Sequence, residues 1–174
     1  MTTRDFTATI QADQTSAAAF NAINNVRGWW SEEIEGSTDK LNDMFNYHFE
    51  DIHRCKIKIT ELIPGKKVEW LVMDNYFKPG IFNEASPALH TDISEWTGTK
   101  IIFEIEEKDN KTQIRFTHLG LVPEFECFEA CSSGWSHYIV QSLMNLITNG
   151  KGQPNSTGAP MTKEEQKLSG AAKA

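Results

Sequence analysis

The sequence predicts an α+β fold in which a curved, six-stranded antiparallel sheet wraps around a long C-terminal helix, with two short helices after the first strand. Three observations lead to this prediction: runs of alternating apolar and polar residues, short polar turns between them, and one long segment with apolar residues at helical spacing near the end of the chain. A chain of 174 residues has the length that one domain needs to bury a core without disulfides or metal.

The N-terminal part contains the first strand and the two short helices. Residues 3–10 alternate between apolar and polar side chains, as a half-buried strand does. The segment QTSAAAFNAINN has helical spacing, and Asp13 is its predicted N-cap. A break near Asn24 separates it from a second short helix that is predicted to end at Trp30.

Five further alternating runs complete the predicted sheet. Alternate side chains of a strand point to the same side, so each run has one apolar face. The residues on those faces are Phe45, Tyr47 and Phe49; Cys55, Ile57 and Ile59; Val68, Trp70 and Val72; Ile101, Phe103 and Ile105; and Ile114, Phe116 and His118. The short turns at Pro64-Gly65 and residues 108–111 indicate antiparallel hairpins.

The alternation stops between Asp74 and Trp96, where prolines, a glycine and several aromatic residues follow one another. A loop of this length inside a compact domain is typically functional, and we expect a lid beside the sheet.

The longest helix is predicted from Pro123 to Gly150, because proline is tolerated in the first helical turn and glycine commonly follows the last one. Residues 1–150 then form one domain. Residues 151–174 are rich in small and polar side chains, and a flexible tail is predicted there.

The composition argues against several classes of function. The net charge of -7 is unfavourable for sequence-independent binding of nucleic acid, and no apolar run is long enough to span a membrane. The three cysteines, Cys55, Cys127 and Cys131, are predicted to be free thiols, which fits a cytoplasmic protein. They lack metal-binding spacings, so neither a metal nor another cofactor is predicted.

Five segments of the sequence resemble one family. They are GWW at residues 28–30, ITELIPGKKVEWLV at 59–72, EWTGTKIIFEI at 95–105, FTHLGLVPE at 116–124 and CSSGWSHYIVQSL at 131–143. Their order is similar to that in the START-like superfamily, also called SRPBCC, whose architecture is the helix-grip fold. Within it, the chain resembles the activator-of-heat-shock-protein-90-ATPase homologue family over roughly residues 3–150.

The resemblance implies a deep cavity between the sheet and the long helix, which various members use for lipids, sterols, polyketides or other apolar molecules. It also implies that the two short helices close one end of the sheet, with Trp30 at the mouth of the cavity and Trp29 nearer the solvent. Co-chaperones of heat-shock protein 90 carry a separate domain before a domain of this type. The sequence begins at the first strand, so that partner is only an alternative; a homodimer is a second open point.

The candidate ligand site follows from the inward-facing residues. His118 is the most informative, because a neutral imidazole there can orient a ligand or act as an acid–base, although a buried histidine bonded to protein groups is the more common arrangement. Gly134 costs about 1 kcal/mol against alanine in a helix, which hints at close approach or space for a ligand. The residues predicted to line the site are Trp30, Tyr47, Trp70, Phe103, Phe116, His118, Trp135, Tyr138 and Ile139.

The predicted function is binding of a small apolar or amphipathic molecule, with affinity from apolar burial. No catalytic residue is predicted, because neither a nucleophile–base spacing nor a phosphate-binding loop is present. Two alternatives stay open. One is a cyclase-like or hydrolase-like enzyme that uses His118 as the acid–base, and the other is a co-chaperone-like module that contacts heat-shock protein 90.

Overall fold

The computed structural model describes residues 4–79, 95–125 and 127–169. The strands are β1 (Phe6–Ala12), β2 (Glu35–Gly36), β3 (Met44–Phe49), β4 (His53–Ile63), β5 (Lys67–Phe77), β6 (Lys100–Lys108) and β7 (Lys111–Leu119). The helices are α1 (Ser16–Asn24), a 3-10 turn (Val26–Gly28), α2 (Phe128–Trp135), a π-helical segment (Ser136–Leu143), α3 (Met144–Asn149) and α4 (Lys163–Leu168). From α2 to α3 the chain is continuously helical, and we call residues 128–149 the long helix.

The described strands form one antiparallel sheet in the order β1-β7-β6-β5-β4-β3-β2. The predicted α+β fold, a sheet that holds a long C-terminal helix, is confirmed. The sheet has seven strands rather than six. The additional strand, β2, pairs only Glu35 and Gly36 with β3, and two residues are too few to produce an alternating pattern.

The core lies between the apolar face of the sheet and the long helix. The side chains that parity assigns to this face are buried in the structure, among them Phe45, Ile57, Trp70, Phe103 and Phe116 with no exposed surface. Aromatic side chains bury more apolar area than any others, so this layer dominates the hydrophobic stabilisation of the fold.

The long helix begins later than predicted. Pro123 lies in a turn, and Phe125 and Phe128 each donate a backbone hydrogen bond to the residue three positions earlier. The helix itself starts at Phe128 and ends at Asn149, and it is followed by Gly150, whose φ of 79° is the left-handed conformation that glycine adopts readily. Pro123 therefore lies in the turns that precede the helix, and not in its first turn.

The N-cap of the first helix lies two residues after the predicted one. Thr15, not Asp13, is the N-cap of α1, and its Oγ1 accepts a hydrogen bond of 3.0 Å from the backbone N–H of Ala18. The predicted break follows Asn24, but the second helical element is only the 3-10 turn, which ends at Gly28.

Residues 151–169, which we call the C-terminal segment, lie against the domain where the sequence predicts a flexible tail. Asn155 donates its backbone N–H to the Trp30 carbonyl at 3.0 Å and accepts from the N–H of Glu32 at 2.9 Å. A capping box between Thr162 and Glu165 then starts α4. These contacts are made by backbone and polar groups, which is why a composition poor in large apolar residues did not reveal them.

Two further predictions concern the end of β5 and the segment that follows it. β5 continues to Phe77, beyond the predicted end of the strand near Asp74. Most of the predicted lid, residues 80–94, lies outside the described residues. Among the residues that are described, no helix is long and apolar enough to cross a membrane.

Candidate functional site

A cavity of about 90 Å³ lies where the ends of β3, β4 and β5 face the N-terminal half of the long helix and α4. The strands contribute Tyr47, Phe49, His53 and Phe77, and the long helix contributes Ala130, Cys131, Gly134, Trp135 and Tyr138. Trp30, Ile52 and Trp96 extend the apolar wall, and Thr162, Glu164, Glu165 and Leu168 close it. The cavity therefore has mainly aromatic and aliphatic walls with a carboxylate-bearing helix at one side.

The structure places the nine predicted site residues in two groups. Trp30, Tyr47, Trp135 and Tyr138 line the cavity. Trp70, Phe103, Phe116, His118 and Ile139 are fully buried in the core and are not part of the cavity wall. Parity indicates which face of a strand points inward, but it does not indicate where along the strand the interior is left open.

Packed aromatic rings fill the centre of the space between the sheet and the long helix. Trp29 and Trp30 both stack against Trp70, with ring centroids 6.2 and 6.1 Å from it, and Phe103 meets Trp70 edge-on at 5.0 Å. In the described residues, this packing occupies the place of the deep cavity that the resemblance implies.

The two adjacent tryptophans are both buried. Trp29 has no exposed surface, and its indole N–H donates to the Ile23 carbonyl at 3.1 Å. The prediction that Trp29 lies nearer the solvent than Trp30 is therefore wrong. Trp30 also stacks on Tyr47, with ring centroids 4.1 Å apart, and lines the cavity.

His118 is bonded to protein groups through both ring nitrogens. The indole N–H of Trp135 donates to its Nδ1 at 3.0 Å, which leaves the ring proton on Nε2, 2.8 Å from the Thr99 hydroxyl oxygen. Thr99 in turn donates to the Trp96 carbonyl at 2.5 Å. Burial, and secondarily the nearby His53, lowers the pKa of His118 to about 3. His118 is thus a neutral, buried link between β7 and the long helix.

A cluster of four polar side chains adjoins the cavity. Tyr138 donates to Glu165 Oε2 at 2.5 Å, and the amide nitrogen of Asn155 donates to the hydroxyl oxygens of Tyr47 at 3.0 Å and Tyr138 at 2.7 Å. Burial is the main cause that raises the pKa of both tyrosines. The second cause is the charge of Glu165 for Tyr47, and the neighbouring Tyr47 for Tyr138. Both phenols therefore keep their protons near neutral pH.

His53 and Cys131 complete the wall without contributing charge. His53 Nε2 lies 2.8 Å from the Asn75 side-chain oxygen, and burial lowers the pKa of His53 to about 4. Burial, followed by its contact with Cys127, raises the pKa of the Cys131 thiol. At pH 7 the imidazole and the thiol are both neutral.

Gly134 leaves part of the cavity open. A methyl group built onto its Cα would meet no atom within 4 Å outside its immediate helical neighbourhood. Glycine at this position of the sequence hints at space, and in the structure Gly134 borders the cavity.

Sequence reasoning missed several wall residues. His53 shares strand parity with Cys55 and Ile57, so its inward orientation was available from the pattern. The capping-box spacing of Thr162 and Glu165 was also present in the sequence as a signal for α4. Among the described residues, no group of three or more His, Cys, Asp or Glu side chains is placed to hold a metal ion.

One antiparallel sheet that holds a long C-terminal helix is the helix-grip arrangement of START-like proteins, and known structures share it. The Aha1 dimer from Colwellia psychrerythraea has a TM-score of 0.65 and 23% identity, over 85% of this chain and 98% of that chain. SSP2350 from Staphylococcus saprophyticus has a TM-score of 0.59 and 14% identity, over 85% and 94%. DynU16, from the dynemicin biosynthetic locus, has a TM-score of 0.56 and 10% identity, over 87% and 49%.

At these identities the similarity establishes the fold. The resemblance seen in the sequence is confirmed at that level: the chain has the helix-grip fold of START-like and Aha1-like proteins. The sequence matches no protein-family model and no curated protein.

Proposed function

We propose that the protein binds a small, largely apolar molecule in the cavity between the strand ends, the long helix and α4. The cavity beside Gly134 carries this proposal. Protein interiors rarely contain voids larger than a water molecule, and glycine in a helix costs about 1 kcal/mol against alanine. A space with aromatic walls beside such a glycine has the shape and lining that are typical of ligand sites.

The volume limits the size of the ligand. About 90 Å³ suits a single small ring or a short chain, not a sterol or a lipid. A larger molecule would require α4 to move, and α4 is held by the bond between Tyr138 and Glu165 and by its own capping box. The proposal is therefore for a small molecule, with affinity that comes mainly from the burial of apolar surface.

The enzymatic alternative receives no support from His118. Both of its ring nitrogens are bonded to protein side chains, and the residue has no exposed surface and lies outside the cavity wall. An acid–base group must come within hydrogen-bonding reach of the atom that it protonates. Association with a second copy of the chain or with heat-shock protein 90 stays a prediction from the sequence.

The first test is native mass spectrometry of the purified protein, which detects a co-purified molecule and reports the oligomeric state in the same spectrum. The second is a titration with benzene, followed through the indole N–H signals of the five tryptophans in an NMR spectrum. We expect the signals of the three cavity tryptophans, Trp30, Trp96 and Trp135, to shift and those of Trp29 and Trp70 to stay. No shift, or an equal shift of all five, would contradict the proposal.

A pair of variants on the long helix makes this test specific. Gly134→Leu places a side chain into the cavity and should abolish the benzene-induced shifts, while the protein stays folded because the first added atom meets open space. Ser136→Leu adds the same side chain at an exposed position two residues away and should leave the shifts intact. Equal loss in both variants would point to a disturbed helix instead of a filled site.

A further inference from the structure

The hydroxyl group of Tyr47 donates no hydrogen bond among the described residues. Its oxygen accepts from the Asn155 amide at 3.0 Å, so its own proton is available to a ligand. Tyr138, the other tyrosine of the cavity wall, differs because it donates to Glu165 at 2.5 Å. Burial keeps the pKa of Tyr47 well above its usual value, so the proton remains on the hydroxyl group.

Trp96 supplies a second donor on the same wall. Its indole N–H is buried and has no hydrogen-bond acceptor in the described structure. The Cys131 thiol lies beside this indole, which lowers the thiol pKa by less than burial and Cys127 raise it. The contact between the two groups does not have hydrogen-bond geometry. Trp70 also has an unpaired indole N–H, but it lies in the packed core. Buried donors without acceptors are uncommon. The indole N–H of Trp96 is such a donor, and Trp96 lines the aromatic cavity.

The charges around the cavity decide which acceptor fits. None of the described residues that line it is lysine or arginine, and His53 is neutral at pH 7 because its pKa is about 4. Two carboxylate residues, Glu164 and Glu165, belong to the lining. An anionic ligand would find no counter-charge and would meet negative charge, whereas a neutral carbonyl needs only a donor.

We propose that the cavity takes an uncharged carbonyl compound, whose oxygen accepts a hydrogen bond from the Tyr47 hydroxyl group with the Trp96 indole N–H as the second donor. The inference rests on the proposed function, because it names the chemical class of the ligand for the same cavity. The aromatic walls bury the hydrocarbon part, and the donors fix the orientation of the oxygen.

Cyclopentanone and methylenecyclopentane are suitable probes, because they have nearly the same shape and differ in carrying C=O or C=CH₂. Calorimetric titration gives the ratio of the ketone affinity to the alkene affinity for each protein variant. In Tyr47→Phe this ratio should fall about tenfold, since the carbonyl loses its donor inside the cavity. The alkene affinity of the same variant should persist, which shows that the cavity is intact.

A control variant locates the effect. Tyr76→Phe removes a hydroxyl group from a tyrosine outside the cavity wall and should change neither affinity.

The possible outcomes separate the two proposals. If the unmodified protein binds neither probe, the proposed function fails. If it binds both and Tyr47→Phe leaves the ratio unchanged, the cavity binds ligands but the carbonyl assignment is wrong. An equal fall in Tyr76→Phe would overturn the choice of Tyr47 as the donor. Tighter binding of cyclopentanecarboxylate than of cyclopentanone would overturn the uncharged class.

Discussion

The space between the sheet and the long helix has two halves that differ in what fills them. In the packed half, Trp29, Trp70 and Phe103 meet ring against ring with no exposed surface. In the open half, the strand ends face Gly134, and a cavity remains. The inward face of the sheet supplies side chains to both halves, and the open half differs because a glycine of the long helix lies opposite the strand ends.

Two glycines show the same contrast. A methyl group at Gly152, where the C-terminal segment crosses the domain, would lie 2.4 Å from the Gly28 carbonyl oxygen and 2.9 Å from the Ser142 carbonyl oxygen. At Gly134 it would meet nothing within 4 Å. One glycine allows a close backbone approach and the other leaves space, so alanine at the two positions should have opposite effects on stability.

The largest expected effect is in the packed half. Trp29→Ala should lower the free energy of unfolding by about 5 kcal/mol, because it leaves a closed void. Trp30→Ala should cost less, nearer to about 3 kcal/mol, because its void joins the existing cavity and can fill with water. Urea unfolding of the two variants measures the difference. Equal losses, or a larger loss for Trp30→Ala, would show that the halves are not packed differently.

The next effect is at the crossing of the C-terminal segment. Gly152→Ala should destabilise the protein by about 2 to 3 kcal/mol, because the added carbon overlaps backbone atoms that cannot easily move. Thermal and urea unfolding give the value. A neutral result would mean that residues 151–169 do not hold this close contact in solution.

The pH dependence of stability follows from His118. Its pKa is about 3 in the folded protein and about 6.5 when unfolded, so the unfolded chain binds a proton more readily. The contribution is fully present above pH 6.5 and is lost as the pH falls towards 3. Between pH 7 and pH 5 the loss should be about 2 kcal/mol. His53, whose pKa is also lowered, acts in the same direction but is only partly buried.

Urea unfolding at pH 7 and pH 5 measures this slope, and His118→Gln is the control. That variant should start from a lower stability at pH 7 and show a clearly smaller decrease at pH 5. A decrease of the same size in both proteins would assign the pH dependence to other groups.

The smallest effect has the opposite sign. Gly134→Ala should stabilise the protein by up to about 1 kcal/mol, because alanine favours the helix and the added methyl group enters open space. Ser136→Ala, on the exposed face of the same helix, serves as the reference for a propensity gain alone. A destabilised Gly134→Ala would mean that the open half is closed in solution.

The architecture could be predicted because it depends on patterns that persist over many residues. Alternation along the strands fixed which side chains enter the core, and Gly150 marked the end of the long helix. Short or locally determined features escaped. β2 has two residues, and the choice between Asp13 and Thr15 as the N-cap depends on one hydrogen bond.

The site was predictable only in part. Strand parity led to Tyr47 and helical spacing to Trp135, both of which line the cavity, but the same reasoning included Trp70 and His118, which do not. What separates these residues is the packing of specific rings and the position of α4, and neither has a periodic signature. Asn155 was missed because its role depends on a backbone pairing across more than a hundred residues.

A crystal structure under xenon pressure tests the central claim most directly, because xenon occupies dry apolar cavities and leaves well-packed regions empty. The account predicts a xenon atom in the cavity beside Gly134, between His53 and Trp135, and none among Trp29, Trp70 and Phe103. A cavity filled by side chains, or xenon bound in the packed half, would contradict it.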